Sequence, residues 1–168
     1  MTQKKDNILK IKKANSRDVP LILSLIKELA EYEKLTHEVV ASEKDLMSNL
    51  FGPKKFAEVL LGYYNNEPVG MALFFHNYST FEGKPGIYLE DLFVKPDFRG
   101  KGIGKALLLK LIRIAGNRKC SRVEWAVLDW NQSAIDFYTK LGAEPMDSWK
   151  IFRLTRDKIK KINKPQIV

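Results

Sequence analysis

The sequence predicts an α/β domain whose sheet has mixed strand direction and carries helices on its faces. Two strand-like segments around a turn, residues 56–64 and 69–75, predict an antiparallel hairpin. Strand and helix patterns then alternate from residue 87 to residue 154, which is typical of an α/β sheet. The chain has 168 residues, 45% of them hydrophobic, with no internal repeat or linker. One domain over residues 1–168 is therefore expected.

The first elements are a short strand at residues 8–11 and an amphipathic helix that ends near Tyr32. Ser16 is predicted as the N-cap, with Asp18 in the first turn, where the helix dipole favours a carboxylate. Apolar residues then recur at helical spacing: Val19, Ile22, Ile26, Leu29 and Ala30. A second helix start is predicted at Ser42, because Asp45 follows it three residues later.

The later elements follow from turn residues and periodicity. The hairpin turn is predicted over residues 65–68, and a third strand over residues 87–94. Further elements are expected in the order helix, strand, helix and strand, at residues 102–115, 123–128, 131–141 and 149–154. Gly142 marks the end of the second of these helices, and a basic tail follows the last strand.

Composition excludes several classes of protein and site. A single cysteine, Cys120, excludes an internal disulfide framework, and with only His37 and His76 a metal site is not expected. No apolar run approaches the roughly 18 residues of a membrane span. The first 16 residues lack the apolar stretch of a secretory signal. A cytoplasmic protein that does not bind membranes is therefore expected.

The net charge favours anionic partners without identifying one. Lys and Arg number 29 and Asp and Glu 20, so the charge is 29 − 20 = +9. The lysines are spread from Lys4 and Lys5 to Lys164, and no nucleic-acid recognition motif accompanies them. Solvated surface lysines explain this pattern better than nucleic-acid binding does.

A glycine-rich turn is the most informative segment. A hydrophobic strand leads through Pro96 to three closely spaced glycines at a helix start: Gly100, Gly102 and Gly104. Unpaired amides at a helix N-terminus suit a pyrophosphate, and Arg99, Lys101 and Lys105 would add mobile positive charge. Neither a Walker loop nor a dinucleotide fingerprint fits the spacing. From the residues alone, a turn without a ligand remains open.

Two motifs resemble those of the GNAT N-acetyltransferases. Residues 99–104, Arg-Gly-Lys-Gly-Ile-Gly, resemble the family's acetyl-CoA signature Q/R-x-x-G-x-G/A. Residues 131–142 resemble its Asn-x-x-Ala-x-x-Phe-Tyr-x-x-x-Gly segment. Residues 89–94 and 25–33 are similar to the spermidine/spermine and thialysine N-acetyltransferase branch. The order of elements agrees from about Ile8 to Lys158.

The resemblance implies the GNAT fold, a mostly antiparallel sheet in which two neighbouring parallel strands splay apart around acetyl-CoA. Those strands would be residues 89–94 and 123–128. It further implies a set of acetyl-CoA contacts, which comprises Leu92, Phe93, Val94, Arg99, Gly100, Lys101, Gly102, Ile103, Gly104, Lys105, Asn131, Ser133, Ala134 and Tyr138. A backbone amide near Phe93 would stabilise the developing oxyanion.

The resemblance also implies the catalytic and substrate residues. Glu90 would be the general base that removes a proton from the amine, and Tyr138 would protonate the departing thiolate. Carboxylates and aromatic residues of the amine channel would be Tyr32, Glu33, Glu90, Asp91, Glu124, Trp125 and Asp147. A polyamine, a diamine and a thialysine-like amino acid all remain possible acceptors.

The expected function is acetyl-CoA-dependent acetylation of a small primary amine, by direct transfer in a ternary complex. No covalent enzyme intermediate is expected, because Cys120 has no histidine near it in sequence. A homodimer is expected from the family alone. The alternatives are acetylation of a protein lysine or N-terminus, a non-catalytic acetyl-CoA-binding protein, and a nucleic-acid-binding module.

Overall fold

The computed structural model describes residues 8–163. Lys4, Lys5 and Lys164 from the charge survey lie outside these residues. The chain divides after Ala126 into two compact units, and each is described by itself. Among residues 8–163, no helix is both long enough and apolar enough to cross a membrane.

The N-terminal unit is built on a five-stranded sheet with the order β1-β2-β3-β4-β5. Its strands are β1 (Leu9–Lys13), β2 (Glu58–Tyr64), β3 (Glu67–Ser79), β4 (Lys84–Val94) and β5 (Val123–Trp125). The first three pairings are antiparallel and the last, β4 with β5, is parallel. The predicted mixed sheet is confirmed.

The hairpin between β2 and β3 is confirmed, but its turn is shorter than predicted. Asn65 and Asn66 have φ angles of 50° and 67°, as a two-residue type I′ turn requires, and asparagine tolerates this conformation. Glu67 and Pro68 already belong to β3, where they face Tyr64 and Tyr63.

Helix α1 (Val19–Tyr32) begins differently from the prediction and ends where it was expected. Asn15, not Ser16, is the cap. Its side chain accepts a hydrogen bond from Arg17 N at 3.0 Å, and Asp18 Oδ2 accepts one from Asn15 N at 2.8 Å. This reciprocal capping forms a short 3₁₀ turn, Ser16–Asp18, ahead of the α-helix.

One face of the sheet is covered by α1 and by α2 (Glu43–Leu46), which continues into a π-helical turn, Met47–Phe51. Ser42 forms the predicted capping box with Asp45 at the start of α2. The helices and the sheet share one buried apolar cluster, which includes Val19, Ile22, Leu25, Leu46, Leu50, Val59, Leu61, Met71 and Phe93.

The opposite face is covered by α3 (Ile103–Asn117). Here the helix lies close to β2 at Gly62, where an added Cβ would stand 3.2 Å from Ile103 Cγ2 and 3.5 Å from Leu107 Cδ1. Gly62 and Leu61 are adjacent in β2, so their side-chain positions point to opposite faces. Helices on both faces of the sheet are thus confirmed.

An ion pair joins the C-terminal end of α3 to the start of β2. Arg118 donates to both carboxylate oxygens of Glu58, at 2.5 and 3.0 Å, and Lys13 donates to Glu58 Oε2 at 2.6 Å. These contacts lower the pKa of Glu58 to about 2, with the Arg118 hydrogen bond as the largest cause. This ion pair holds the C-terminal end of α3 against the sheet, at the opposite end of the helix from the glycine-rich turn.

The C-terminal unit contains α4 (Gln132–Lys140) and α5 (Arg156–Ile162). Gly142, with φ of 89°, follows α4 as predicted. The predicted strand at residues 149–154 is wrong, because no ladder pairs this segment within the described residues. In the described part of the expected basic tail, Arg156–Ile162 forms α5. Strand periodicity reports side-chain alternation, whereas a strand also needs a neighbour for its backbone.

Candidate active site

The β4–β5 ladder ends early, and β4 continues beyond it. The last parallel pair is Leu89 with Trp125, so the predicted strand over residues 123–128 is too long. The next residue of β4, Glu90, forms a β-bulge: Asp91 faces Leu73 and Leu89 faces Phe74, which leaves Glu90 unmatched. A bulge bends its strand and interrupts pairing. The β4–β5 ladder therefore ends next to Glu90, the predicted general base.

Beyond the bulge, β4 keeps its antiparallel partner on one side. Leu92, Phe93 and Val94 face Ala72, Met71 and Gly70 of β3. The side chain of Phe93 is buried in the cluster beneath α1. On the other edge, which pairs with β5 only as far as Leu89, a ligand could add as a further strand.

The glycine-rich loop exposes the N-terminus of α3. Gly100 and Gly102 have φ angles of 75° and 78°, and beyond the adjacent residues no heavy atom lies within 4 Å of a Cβ built on either. Gly102 is the N-cap of α3, with no side-chain cap and no acidic residue in the first turn. The amides of Ile103, Gly104 and Lys105 precede the first intrahelical donor. This arrangement fits a pyrophosphate.

Two of the three cations predicted to be mobile around this loop are held by protein groups. Arg99 Nε donates to Val94 O at 3.1 Å, and its Cζ lies 4.1 Å from the centroid of the Tyr32 ring. Lys101 Nζ donates to Asp97 O at 3.1 Å and lies 4.6 Å from the centroid of Phe98. Aromatic faces and carbonyls attract these cations, so both side chains have protein partners beside the loop.

Three carboxylates gather around the bulge. Burial, together with the negative charges of Glu90 and Glu33, raises the pKa of Asp91 to about 7. Burial also raises the pKa of Glu33, the residue that follows α1. Asp91 shares the α1 face with Phe93, two residues on, whereas Glu90 is exposed. The structure thus brings together Glu33, Glu90 and Asp91 from the predicted channel.

Glu124 and Trp125, two more predicted channel residues, lie on β5. The Glu124 carboxylate accepts a hydrogen bond from Asn77 Nδ2 at 2.6 Å and forms an ion pair with Arg122 at 2.9 Å. Trp125 faces Leu89 in the last pair of the ladder. The Glu124 carboxylate is thus engaged by Asn77 and Arg122.

In the C-terminal unit, Asn131 caps α4. Its Oδ1 accepts hydrogen bonds from Ala134 N at 3.3 Å and from the Ser133 hydroxyl at 3.1 Å. A ligand contact by Asn131 would therefore use its Nδ2 donors. Burial raises the pKa of Tyr138 to about 12, so its hydroxyl keeps its proton at neutral pH. Asp147 lies in an exposed turn after α4.

Sequence reasoning missed an ion pair beside the loop. Lys95 Nζ lies 3.4 Å from Glu28 Oε1 on α1. Glu28 and Tyr32 are four residues apart and so share one face of α1. That spacing was visible in the sequence, but nothing in it indicated that this face meets the loop.

The model of the acetyltransferase (GNAT) family matches residues 23–143. Among curated relatives, the thialysine N-ε-acetyltransferase of Bos taurus is 39% identical, over 90% of this chain and 95% of its own length. The L-ornithine N5-acetyltransferase of Arabidopsis thaliana is 32% identical, over 94% of this chain and 89% of its own.

A solved structure of an integron cassette protein from V. cholerae superposes with a TM-score of 0.78 and 26% identity. The superposition covers 93% of this chain and 98% of the other. The family match spans the glycine-rich loop, the bulge and α4, and the curated relatives extend it over nearly the whole chain. The chain is therefore an N-acetyltransferase of the GNAT family.

Proposed function

We propose that this enzyme transfers an acetyl group from acetyl-CoA to a small primary amine: a thialysine-like amino acid, a diamine or a polyamine. The observation that carries the proposal is the carboxylate group of Glu33, Glu90 and Asp91 beside the bulge. Carboxylates attract an ammonium group in an otherwise basic protein. The named substrates of the relatives, thialysine and L-ornithine, carry such a group.

The glycine-rich loop would bind the pyrophosphate of acetyl-CoA through backbone amides of Gly100–Lys105. Uncapped amides and open space at Gly100 and Gly102 support this role. The free edge of β4 at Leu92, Phe93 and Val94 would hold the pantetheine arm. Asn131, Ser133 and Ala134 at the start of α4 are proposed as further cofactor contacts. Bound acetyl-CoA supplies the activated acetyl group.

The acceptor must lose a proton before its nitrogen can attack, because a free alkyl ammonium has a pKa of about 10.4. Glu90, at the bulge, is proposed to accept that proton directly or through water. Asp91 is a second candidate, since a carboxyl group with a pKa near 7 suits proton exchange at neutral pH. The N–C bond would form as the C–S bond breaks, in a ternary complex.

Tyr138 is proposed to give its proton to the coenzyme A thiolate as the C–S bond breaks. Its hydroxyl carries a proton at neutral pH, as an acid requires, and burial raises its pKa to about 12. The nitrogen loses two protons, one before it attacks and one as the N–C bond forms. Both leave through the carboxylate or water, Tyr138 regains its proton from solvent, and each turnover releases one proton.

A homodimer is part of this proposal. In the C-terminal unit, Trp149, Ile151 and Phe152 have exposed fractions of 72%, 76% and 92%. Three large apolar side chains exposed within four residues are typical of protein interfaces. Light scattering on the eluting protein is expected to give twice the mass of one chain, and a monomer at micromolar concentration would contradict the dimer.

The test of the activity is release of free coenzyme A thiol from acetyl-CoA, with thialysine, ornithine, putrescine, spermidine and a lysine peptide as acceptors. Turnover on at least one free amine, exceeding turnover on the peptide, is expected. Activity on the peptide alone would favour protein acetylation. Acetyl-CoA binding without any turnover would contradict the proposed reaction.

A further inference from the structure

On the α1 side of the sheet, β3, β4 and β5 present one row of side chains next to the bulge. Phe75 faces Tyr88, and their ring centroids lie 5.3 Å apart. Tyr88 in turn faces Glu124 on β5, and residues paired across a ladder share one face of the sheet. Leu73, two residues before Phe75, faces Asp91 and packs against the cluster beneath α1. Asp91, the aromatic pair and Glu124 therefore lie on the same face.

Glu124 is held in this row from two sides. Asn77 Nδ2 donates to its Oε2 at 2.6 Å, and Arg122 Nε lies 2.9 Å from the same oxygen. Gly86 permits this convergence, because an added Cβ would clash with Asn77 Oδ1 and would lie 3.1 Å from Arg122 Cγ. Asn77 Oδ1 is buried without a hydrogen-bond partner among residues 8–163. Because an unpaired buried oxygen is unfavourable, the orientation of this amide serves its bond to Glu124.

The Arg122–Glu124 ion pair keeps one polar group of each sign open. Both contacts to Glu124 use Oε2, so Oε1 has no hydrogen-bond partner in the described part of the chain. Arg122 donates through Nη2 to Tyr78 O at 3.4 Å, and its Nη1 has no acceptor among the described residues. The two side chains are 39% and 38% exposed, so a ligand can reach both. An open carboxylate oxygen beside an open guanidinium nitrogen complements an ammonium group beside a carboxylate, as at the α-carbon of an amino acid.

We propose that Arg122 and Glu124 form a subsite for the α-carboxylate and α-ammonium groups of an amino-acid acceptor. This inference rests on the proposed function, which places the reacting nitrogen at the bulge of β4. Arg122 binds the carboxylate, and Glu124 binds the α-ammonium group through Oε1. The rings of Phe75 and Tyr88 lie between the two ends and contact the methylene chain. The acceptor is then a basic amino acid acetylated on its side-chain nitrogen, in preference to a diamine or a polyamine.

The spacing along β4 fits an acceptor of this length. Tyr88, level with Glu124, precedes Asp91 by three residues, one of which is the bulge residue. About two strand steps, or roughly 7 Å, therefore separate the two levels. The side chain of ornithine or lysine, with about four or five bonds of about 1.2 Å each along its length, spans roughly 5–6 Å. The side chains at the two ends cover the rest, so such an acceptor reaches both.

Matched acceptors test the carboxylate contact in the wild-type enzyme. L-Ornithine, L-ornithinamide and putrescine share one carbon chain and carry a carboxylate, an amide or hydrogen beside the second nitrogen. The KM for L-ornithine is expected to be about tenfold lower than the other two, the scale of one charge-assisted hydrogen bond. NMR of the product is expected to show acetylation of the side-chain nitrogen alone.

Three variants assign the contact to its residues. Arg122→Met should raise the KM for L-ornithine about tenfold and leave the other two within about twofold, because only ornithine carries the carboxylate. Glu124→Gln should raise the KM for all three acceptors, since each presents an ammonium group to Oε1. Arg113→Met, the matched control, removes an equal charge from an exposed position of α3 and should change none of them. The KM for acetyl-CoA should stay within about twofold in every variant.

The outcomes separate this subsite from the proposed function. A wild-type kcat/KM for putrescine or spermidine that equals or exceeds that for L-ornithine overturns the subsite and leaves the proposed function standing. Acetylation of the α-nitrogen overturns it as well, as does an Arg122→Met variant that changes all three acceptors equally or none.

If Arg122→Met does not fold, Arg122→Lys serves instead, because it keeps the charge but loses the paired nitrogens of the guanidinium group. It is expected to raise the KM for L-ornithine alone, and an equal rise for putrescine would overturn the subsite. A wild-type enzyme without turnover on any amine contradicts the proposed function, and the subsite with it.

Discussion

Replacing Asp91 by Asn is expected to remove a pH-dependent destabilisation of the folded protein. Burial, with the charges of Glu90 and Glu33, raises the pKa of Asp91 from 3.8 to about 7. Between these values the folded state holds a proton that the unfolded chain has released. The contribution of this bound proton to the free energy of unfolding is therefore complete below about pH 4 and is lost as the pH rises through about 7.

The size of the effect follows from the shift in pKa. A rise from 3.8 to about 7 is roughly three units, and each unit corresponds to about 1.4 kcal/mol, so the limit is about 4 kcal/mol. Asp91 is half-buried, and water that reaches it reduces this value. At pH 8, Asp91→Asn should be more stable than wild type by about 2–4 kcal/mol, and the difference should shrink toward pH 4.

Urea unfolding followed by circular dichroism at pH 4 to 8 measures this difference. Glu58 titrates in both proteins, so its contribution cancels. Glu90→Gln is a second variant: it removes one charge that raises the pKa of Asp91, so the loss of stability should move to lower pH. Parallel stability curves for wild type and Asp91→Asn would refute the reasoning.

Three other substitutions have definite expected outcomes. Tyr138→Phe should lower kcat about 100-fold with little change in the Kd for acetyl-CoA by calorimetry, and unchanged kcat would exclude its acid role. Arg118→Met should cost about 1–3 kcal/mol in urea unfolding at pH 7. The pKa of Glu58 is held at about 2, so the loss of unfolding free energy should vanish as the pH falls through 2. A loss that persists below pH 2 would contradict the stabilising role of the Arg118–Glu58 ion pair. Gly102→Ala, at φ of 78°, should cost about 1–2 kcal/mol and weaken acetyl-CoA binding. Gly116→Ala, inside α3, is the matched control and should neither destabilise the protein nor weaken acetyl-CoA binding. Equal effects of the two substitutions would contradict the role of the turn.

Much of the fold could be predicted from local patterns. The apolar spacing located α1 and α3, and the turn residues located the hairpin, because these elements depend on nearby residues. The length of β5 depends on a bulge in the neighbouring strand β4, and strand formation by residues 149–154 would require a partner strand. Neither is encoded locally, so both predictions were wrong.

The candidate site shows the same division. The glycine spacing indicated an exposed helix N-terminus, which the structure confirms at Gly102. The raised pKa of Asp91 depends on burial, on the neighbouring Glu90 and on Glu33, which is far away in sequence. The stacking of Arg99 on Tyr32 likewise joins distant segments. Such contacts follow from tertiary packing and not from residue order.

Binding of acetyl-CoA at the start of α3 is the interaction on which the proposed activity depends most. Two-dimensional ¹⁵N–¹H spectra of the labelled protein, recorded during titration with acetyl-CoA, test this directly. The amide signals of Gly100–Lys105 are expected to shift most, in proportion to site occupancy. Saturable binding that leaves these six amides unmoved would contradict it.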